Sequence, residues 1–185
     1  TMAYPQIAAE SVAATAARIG APLVMRGRAW DAEIAGLILY RDEQGEFPLP
    51  LPALPGTHQA ENAALAVAMI RHQNAVQFSL GALGKGIVDA RWPARLQRLG
   101  AGPLTALAGG RTVWLDGGHN PDAGRAIARH LEGQPLVHLI MGMLANKDPS
   151  AILTPLADRA LSISVVPAPG HDAHQPADFA PFTKL

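Results

Sequence analysis

Cysteine is absent from the 185 residues, which excludes a disulfide framework and a thiolate zinc site and suits a reducing compartment. The cytoplasm is therefore the expected location. Neither charge is in excess: Lys plus Arg and Asp plus Glu number 15 each, so no basic field exists to gather nucleic acid or an anionic membrane. Any polyanion must be bound locally. No apolar run approaches the roughly 20 residues that a membrane helix needs. The apolar N-terminal run carries Glu10 and Arg18 and lacks a basic leader, so neither insertion nor secretion is indicated. What is present is a 49% hydrophobic content, enough for the core of one ordinary domain or two small ones.

The chemistry concentrates in Arg111-Thr-Val-Trp-Leu-Asp-Gly-Gly-His-Asn-Pro-Asp122. Thr112 to Leu115 is short, apolar and β-branched, Gly117 and Gly118 break it, and Pro121 suits the first turn of an amphipathic run through Leu131. A strand, a tight turn and a helix follow from that pattern. Such a turn puts Asp116 and His119 at the carboxyl end of a strand, beside a helix N-terminus that attracts phosphate. The plainer alternative is ordinary turn chemistry, with Asp116 capping backbone N–H groups and Asn120 preceding the helix.

In chain order, Pro5 to Ile19 predicts a helix closed by Gly20, and Leu23 to Met25 a short strand with no earlier strand to pair with, as if something upstream were missing. Residues 32–40 and 47–51 predict two extended segments joined by the polar turn 42–46. The prolines at 48, 50, 52 and 55 make the second an edge or a connector. Trp30 is expected in packing. Thr57 can cap a helix with a small-residue face of Ala60, Ala63, Ala64, Val67, Ala68 and Ile70, where His58 and Asn62 share one side near the start. Phe78 to Asp89 predicts another helix. Its Gly81-Ala-Leu-Gly-Lys-Gly86 is no P-loop, since both the four-residue glycine spacing and the hydroxyl after the lysine are missing.

Pro93 marks a boundary that divides the chain into 1–90 and 91–185. Beside it stands Arg95, whose guanidinium can grip phosphate oxygens through paired hydrogen bonds; a surface salt bridge is the alternative. Residues 104–108, Gly109-Gly110 and 112–115 predict a hairpin. Helix 121–132, strand 136–141, a helix near 149–156 and strand 161–166 then alternate as a Rossmann-like α/β unit with a mostly parallel sheet. In such a sheet Asp116, His119 and Asn146-Lys147-Asp148 would share one edge. Lys147 and Asp148 could equally be a helix-start pair. His171 and His174, three apart in a proline-rich loop, are expected to be solvated and to bind no metal.

Gly56-Thr-His-Gln-Ala-Glu-Asn62, Arg91-Trp-Pro-Ala-Arg95, Asp116-Gly-Gly-His-Asn-Pro121 and Met141-Gly-Met-Leu-Ala-Asn-Lys-Asp148, in that order, resemble the folylpolyglutamate synthase/dihydrofolate synthase family. The resemblance covers nearly all of this chain but only about the second half of the family's length. It implies the end of an ATP-binding central domain followed by a Mur-ligase-type C-terminal domain, with the P-loop upstream and a further stretch downstream.

As activity the resemblance implies an ATP- and Mg2+-dependent ligase joining L-glutamate to dihydropteroate or a folate through an acyl phosphate, acting as a monomer when intact. A fragment of this extent would be inactive alone. Arg95 would clamp the ATP phosphates, Asn62 and Asp116 would hold the adenosine part, and His119 would line the nucleotide side. Lys147 and Asp148 would face the folate or glutamate end. The family usually carries glycine where Ala94 stands and an acid where Asn146 stands. Two other readings are a Mur-type cell-wall peptide ligase and a non-catalytic nucleotide-binding or interaction domain.

Overall fold

A computed structural model describes residues 1–182 and divides into two compact units, Thr1–Arg91 and the chain from Trp92 onward. The fold class is the expected α/β.

The first unit opens with α1 (Gln6–Ile19), ended by Gly20 in the left-handed conformation at φ 65°. No residue of α1 is buried. Residues 23–25 do not form the expected strand. Instead Val24 O accepts from the Thr1 amino group and Arg26 N–H donates to Thr1 O at 2.9 Å, while Arg26 forms an isolated bridge with Trp30. An antiparallel sheet comes next, ordered β1 (Trp30–Ile34), β2 (Ile38–Asp42) and β3 (Gly45–Leu49). The single extended segment expected over 32–40 is thus two strands, since Gly36 adopts φ 76° and reverses the chain. β3, carrying Pro48, lies at the sheet edge, where a missing N–H costs no ladder bond.

Period-two alternation points Trp30, Ala32, Ile38 and Tyr40 to one face. Against it packs α2 (Thr57–Arg71), whose Ala60, Ala64 and Ala68 allow close approach around Val67, and α3 (Leu80–Asp89) adds Leu83 and Ile87. Trp30 is core, stacked on Tyr40 with centroids 5.9 Å apart. At the end of this core Arg71 grips Asp42 at 2.5 and 2.8 Å while its guanidinium lies 4.8 Å from the Phe47 ring centre.

The second unit begins with β4 (Gln97–Arg98), antiparallel to β5 (Trp114–Leu115). The hairpin expected over 104–115 does not form, because residues Pro103–Leu107 are a short helix, α4. Pro103 at its first position has φ already set for a helix, and the Thr105 hydroxyl accepts from Gly102 N–H at 2.9 Å, so the turn closes on itself and β5 pairs with the earlier β4.

α5 (Pro121–His130), β6 (Val137–Met141), α6 (Ser150–Leu156) and β7 (Ala160–Val165) follow, with β6 and β7 parallel as expected of a βαβ unit. Their core joins Leu131, Met143, Ile152, Leu153 and Leu156 to Phe179, which the closing 3₁₀ segment Pro176–Phe182 inserts. Among the described residues no helix is long and apolar enough to cross a membrane.

Candidate functional site

The Asp116–Asn120 loop is built by side-chain bonds to backbone. Asn120 Oδ1 accepts from Ala123 N–H at 2.9 Å and caps α5, with Pro121 at the first helical position. One Asp116 oxygen accepts from Gly118 N–H at 2.7 Å, and the other reaches 20 residues back to Leu96 N–H, also at 2.7 Å. Gly117 N–H in turn donates to Ala94 O at 2.9 Å. Gly118 admits no side chain, since a Cβ there would lie 2.8 Å from both Ala123 Cβ and Asp116 Oδ1.

Arg95 therefore sits between two residues pinned to the Asp116-Gly117 loop. Ala94 and Leu96 both adopt positive φ, 56° and 45°, a region that disfavours side chains other than glycine's. Leu96 is buried, which anchors the turn, while Arg95 is exposed and has no hydrogen-bond or ion-pair partner among the described residues. The alternative surface salt bridge is not formed among the described residues. His119 is exposed as well; its Nδ1 donates to Gly117 O at 3.0 Å, which leaves Nε2 without a described partner.

The common sheet edge expected for Asp116, His119, Lys147 and Asp148 is replaced by another arrangement. β5 pairs with β4 and β6 with β7, in separate sheets. What brings the two loops together is the α5–α6 contact. Gly124, in the first turns of α5, is so close to α6 that a Cβ would fall 2.5 Å from Ala151 O and 3.3 Å from Pro155. The loop ending at Asn120 and the loop ending at Asp148 thus precede two helices packed near their starts.

Asp148, two residues before α6, accepts from Ser150 N–H at 2.9 Å and Ser150 Oγ at 2.6 Å, and these bonds hold its carboxyl below the usual carboxylate range. Lys147 is half-buried. Asn62 belongs to the first unit. It is exposed on α2 and donates to Gln59 Oε1 at 3.4 Å, and Gln59 Nε2 lies 2.9 Å from His58 Nε2, so the His-Gln-x-x-Asn pattern forms a polar chain along the first turns.

One contact was not legible. His174, expected in solvent, has a side chain only 18% exposed, with Nε2 at 2.6 Å from Lys147 O and Nδ1 at 3.1 Å from Asp178 Oδ2. A histidine followed four residues later by an aspartate was the available signal. Among the described residues no group of three His, Cys, Asp or Glu could hold a metal ion. Two recesses of about 390 and 370 Å3 in this unit are lined by residues 98–112 and 165–176 in part, and Arg95, Asp116, His119, Lys147 and Asp148 line neither.

No family model matches the chain. It is 34% identical over 124 residues to a probable bifunctional folylpolyglutamate synthase/dihydropteroate synthase of Halobacterium salinarum, covering 65% of this chain and 14% of that protein. It is 30% identical over 138 residues to the folylpolyglutamate synthase of Lacticaseibacillus casei, covering 71% of this chain and 30% of that one. Among solved structures, a bifunctional folylpolyglutamate synthase/dihydrofolate synthase with Mn, AMPPNP and L-glutamate bound superposes with a TM-score of 0.76 at 28% identity, covering 94% of this chain and 40% of that one. This chain spans less than a third of the length of these two curated relatives and two fifths of the solved one. In sequence and in fold alike it belongs to the folylpolyglutamate synthase/dihydrofolate synthase family.

Proposed function

We propose that this chain is part of an ATP-dependent ligase that adds L-glutamate to dihydropteroate or a folate, and that its division near residue 90 separates the end of an ATP-binding central domain from the C-terminal ligase domain. The reading is supported by the family and by the nucleotide analogue and glutamate bound in the solved relative. The observation that carries it is Arg95: an exposed guanidinium without a partner among the described residues, on a turn bonded at both sides to the Asp116-Gly117 loop.

In that ligase the γ-phosphoryl group of ATP passes to the substrate carboxylate, with ADP leaving. The glutamate amine then attacks the acyl phosphate, the amide forms, and phosphate departs while the amine proton goes to solvent or a nearby base. Arg95 neutralises charge on the phosphates through two parallel N–H···O bonds, positioned before the reaction begins. His119 lines the phosphate side, and Asp116, whose carboxylate keeps lone pairs beyond the two it uses, accepts from the adenosine part. Asn62 contacts the nucleotide from the first unit. Lys147 and Asp148 serve the folate or glutamate end.

The Mg2+ that accompanies ATP takes most of its ligands outside this chain. The intact enzyme acts as a cytoplasmic monomer on small molecules, without nucleic acid or membrane. The 185 residues alone, with no complete P-loop, turn nothing over.

The test is Arg95→Ala in the full-length enzyme. ATP-dependent ligation of glutamate to dihydropteroate should fall about 100-fold or more, as when a preorganised transition-state donor is removed, with the urea midpoint unchanged. Undiminished turnover removes Arg95 from the site, and turnover of a muropeptide in place of dihydropteroate transfers the enzyme to the cell-wall branch.

A further inference from the structure

Residues 172–174 are bonded to the loop that carries Lys147 and Asp148. Ala145 N–H donates to Asp172 O at 3.0 Å, His174 N–H donates to Met143 O at 2.9 Å, and Leu144 and Ala173 form an antiparallel bridge. The His174 ring completes this clasp. Its Nε2 faces the Lys147 carbonyl at 2.6 Å and its Nδ1 faces an Asp178 carboxylate oxygen at 3.1 Å, while the Phe179 ring meets it edge-on at 6.0 Å.

Both of those partners are acceptors. A neutral imidazole carries one N–H and can satisfy one of them; an imidazolium carries two and satisfies both. From this pairing we infer that His174 is a positioning residue, whose doubly donating, protonated ring holds the Lys147–Asp148 loop in place and releases it as the ring deprotonates. Its bearing on ligation rests on the function proposed above.

The surrounding charges agree with the geometry. Asp178 on the 3₁₀ segment and Asp148 before α6 are negative and favour the imidazolium; Lys147, His171 and Asp172 are the other titratable side chains of the two paired segments. The Lys147 carbonyl first and Asp178 second hold the His174 ring above the ordinary imidazole value. A group whose folded pKa is raised contributes fully below its unfolded pKa, about 6.5 for histidine, and loses that contribution as pH rises through the folded value. The clasp is therefore closed in mild acid and loosens towards alkaline pH.

Amide hydrogen exchange of the 185-residue chain, corrected for intrinsic rates, tests this at about pH 5.5 and about pH 8.5, on either side of an ordinary imidazole. Protection of the Ala145 and His174 amides should drop about threefold or more between the two, the difference between a charge-assisted and a neutral hydrogen bond after solvent screening. In His174→Gln, which can still donate to the Lys147 carbonyl, protection should persist but no longer change with pH. In His174→Ala, protection should be lost at both pH values.

Wild-type protection that stays level across pH, or an alanine variant as protected as wild type, overturns the inference. A second readout separates it from the proposed function: in the full-length synthase, His174→Gln should flatten the alkaline fall of kcat/KM for glutamate while leaving the KM for ATP unchanged. If the loop responds to pH and kcat/KM does not, the clasp stands and the assignment of Lys147 and Asp148 to the catalytic site falls.

Discussion

The Asp116 carboxylate accepts the Leu96 N–H at 2.7 Å across 20 residues of sequence, and with the Gly117 N–H bond to Ala94 O it ties the glycine-rich loop to the arginine turn. Arg95, adjacent to Leu96, owes its position to a carboxylate that need not touch it.

Replacing that carboxylate should loosen the link between the two segments. Asp116→Ala leaves the Leu96 and Gly118 N–H groups without their charged acceptor, a loss of about 2 kcal/mol for hydrogen bonds to an ionised group. Urea denaturation followed by a probe in the second unit measures it, and an unchanged midpoint would mean that water replaces both bonds at no cost.

Ala94 invites the opposite experiment. Its φ of 56° is left-handed, which costs a residue with a Cβ about 1–2 kcal/mol relative to glycine. Part of that gain is offset by the greater freedom of glycine in the unfolded chain, so Ala94→Gly should stabilise by about 0.5–1 kcal/mol. A midpoint that moves down would show that this turn relaxes at no strain.

Two glycines should tolerate no methyl group. Gly118→Ala would press on Ala123 and Asp116 at 2.8 Å, with an expected cost of about 2 kcal/mol. Gly124→Ala meets a backbone oxygen of α6 at 2.5 Å, which cannot swing aside, and should cost more than Gly118→Ala in the same denaturation assay.

In the first unit, the buried Asp42–Arg71 pair predicts the acid limit. The Arg71 guanidinium holds the Asp42 carboxyl below its usual range. A depressed folded pKa contributes stability that is present above the unfolded value, about 3.8, and is lost as pH falls through the folded value. This unit should thus keep its stability through mild acid and lose it only at lower pH. Arg71→Ala strands a carboxylate whose side chain is 0% exposed, which should cost about 3 kcal/mol at neutral pH, a cost that shrinks in acid as Asp42 takes up a proton. Circular dichroism across a pH series reads both effects.

Local chemistry was sufficient to read much of this molecule from its residues. Gly20 ends α1, Asn120 and Pro121 start α5, Pro48 keeps β3 at an edge, and the apolar runs 136–141 and 161–166 alternate with helices into a parallel pair, because caps, fixed φ angles and periodicity act within a few residues. The side-chain types at Arg95, Asp116 and His119 were legible for the same reason, together with the short motifs that mark the family.

Long-range pairing was not. Whether Trp114 and Leu115 pair with 104–108 or with Gln97 and Arg98 depended on Pro103 and Thr105 closing a helix. The meeting of Leu96 with Asp116, of Gly124 with Ala151, and of His174 with Lys147 joins residues 20, 27 and 27 positions apart. Sequence determined which groups could bond; only the packing of α5 on α6 and the burial of Phe179 decided which of them meet, since a contact at that separation exists only after the intervening chain has folded.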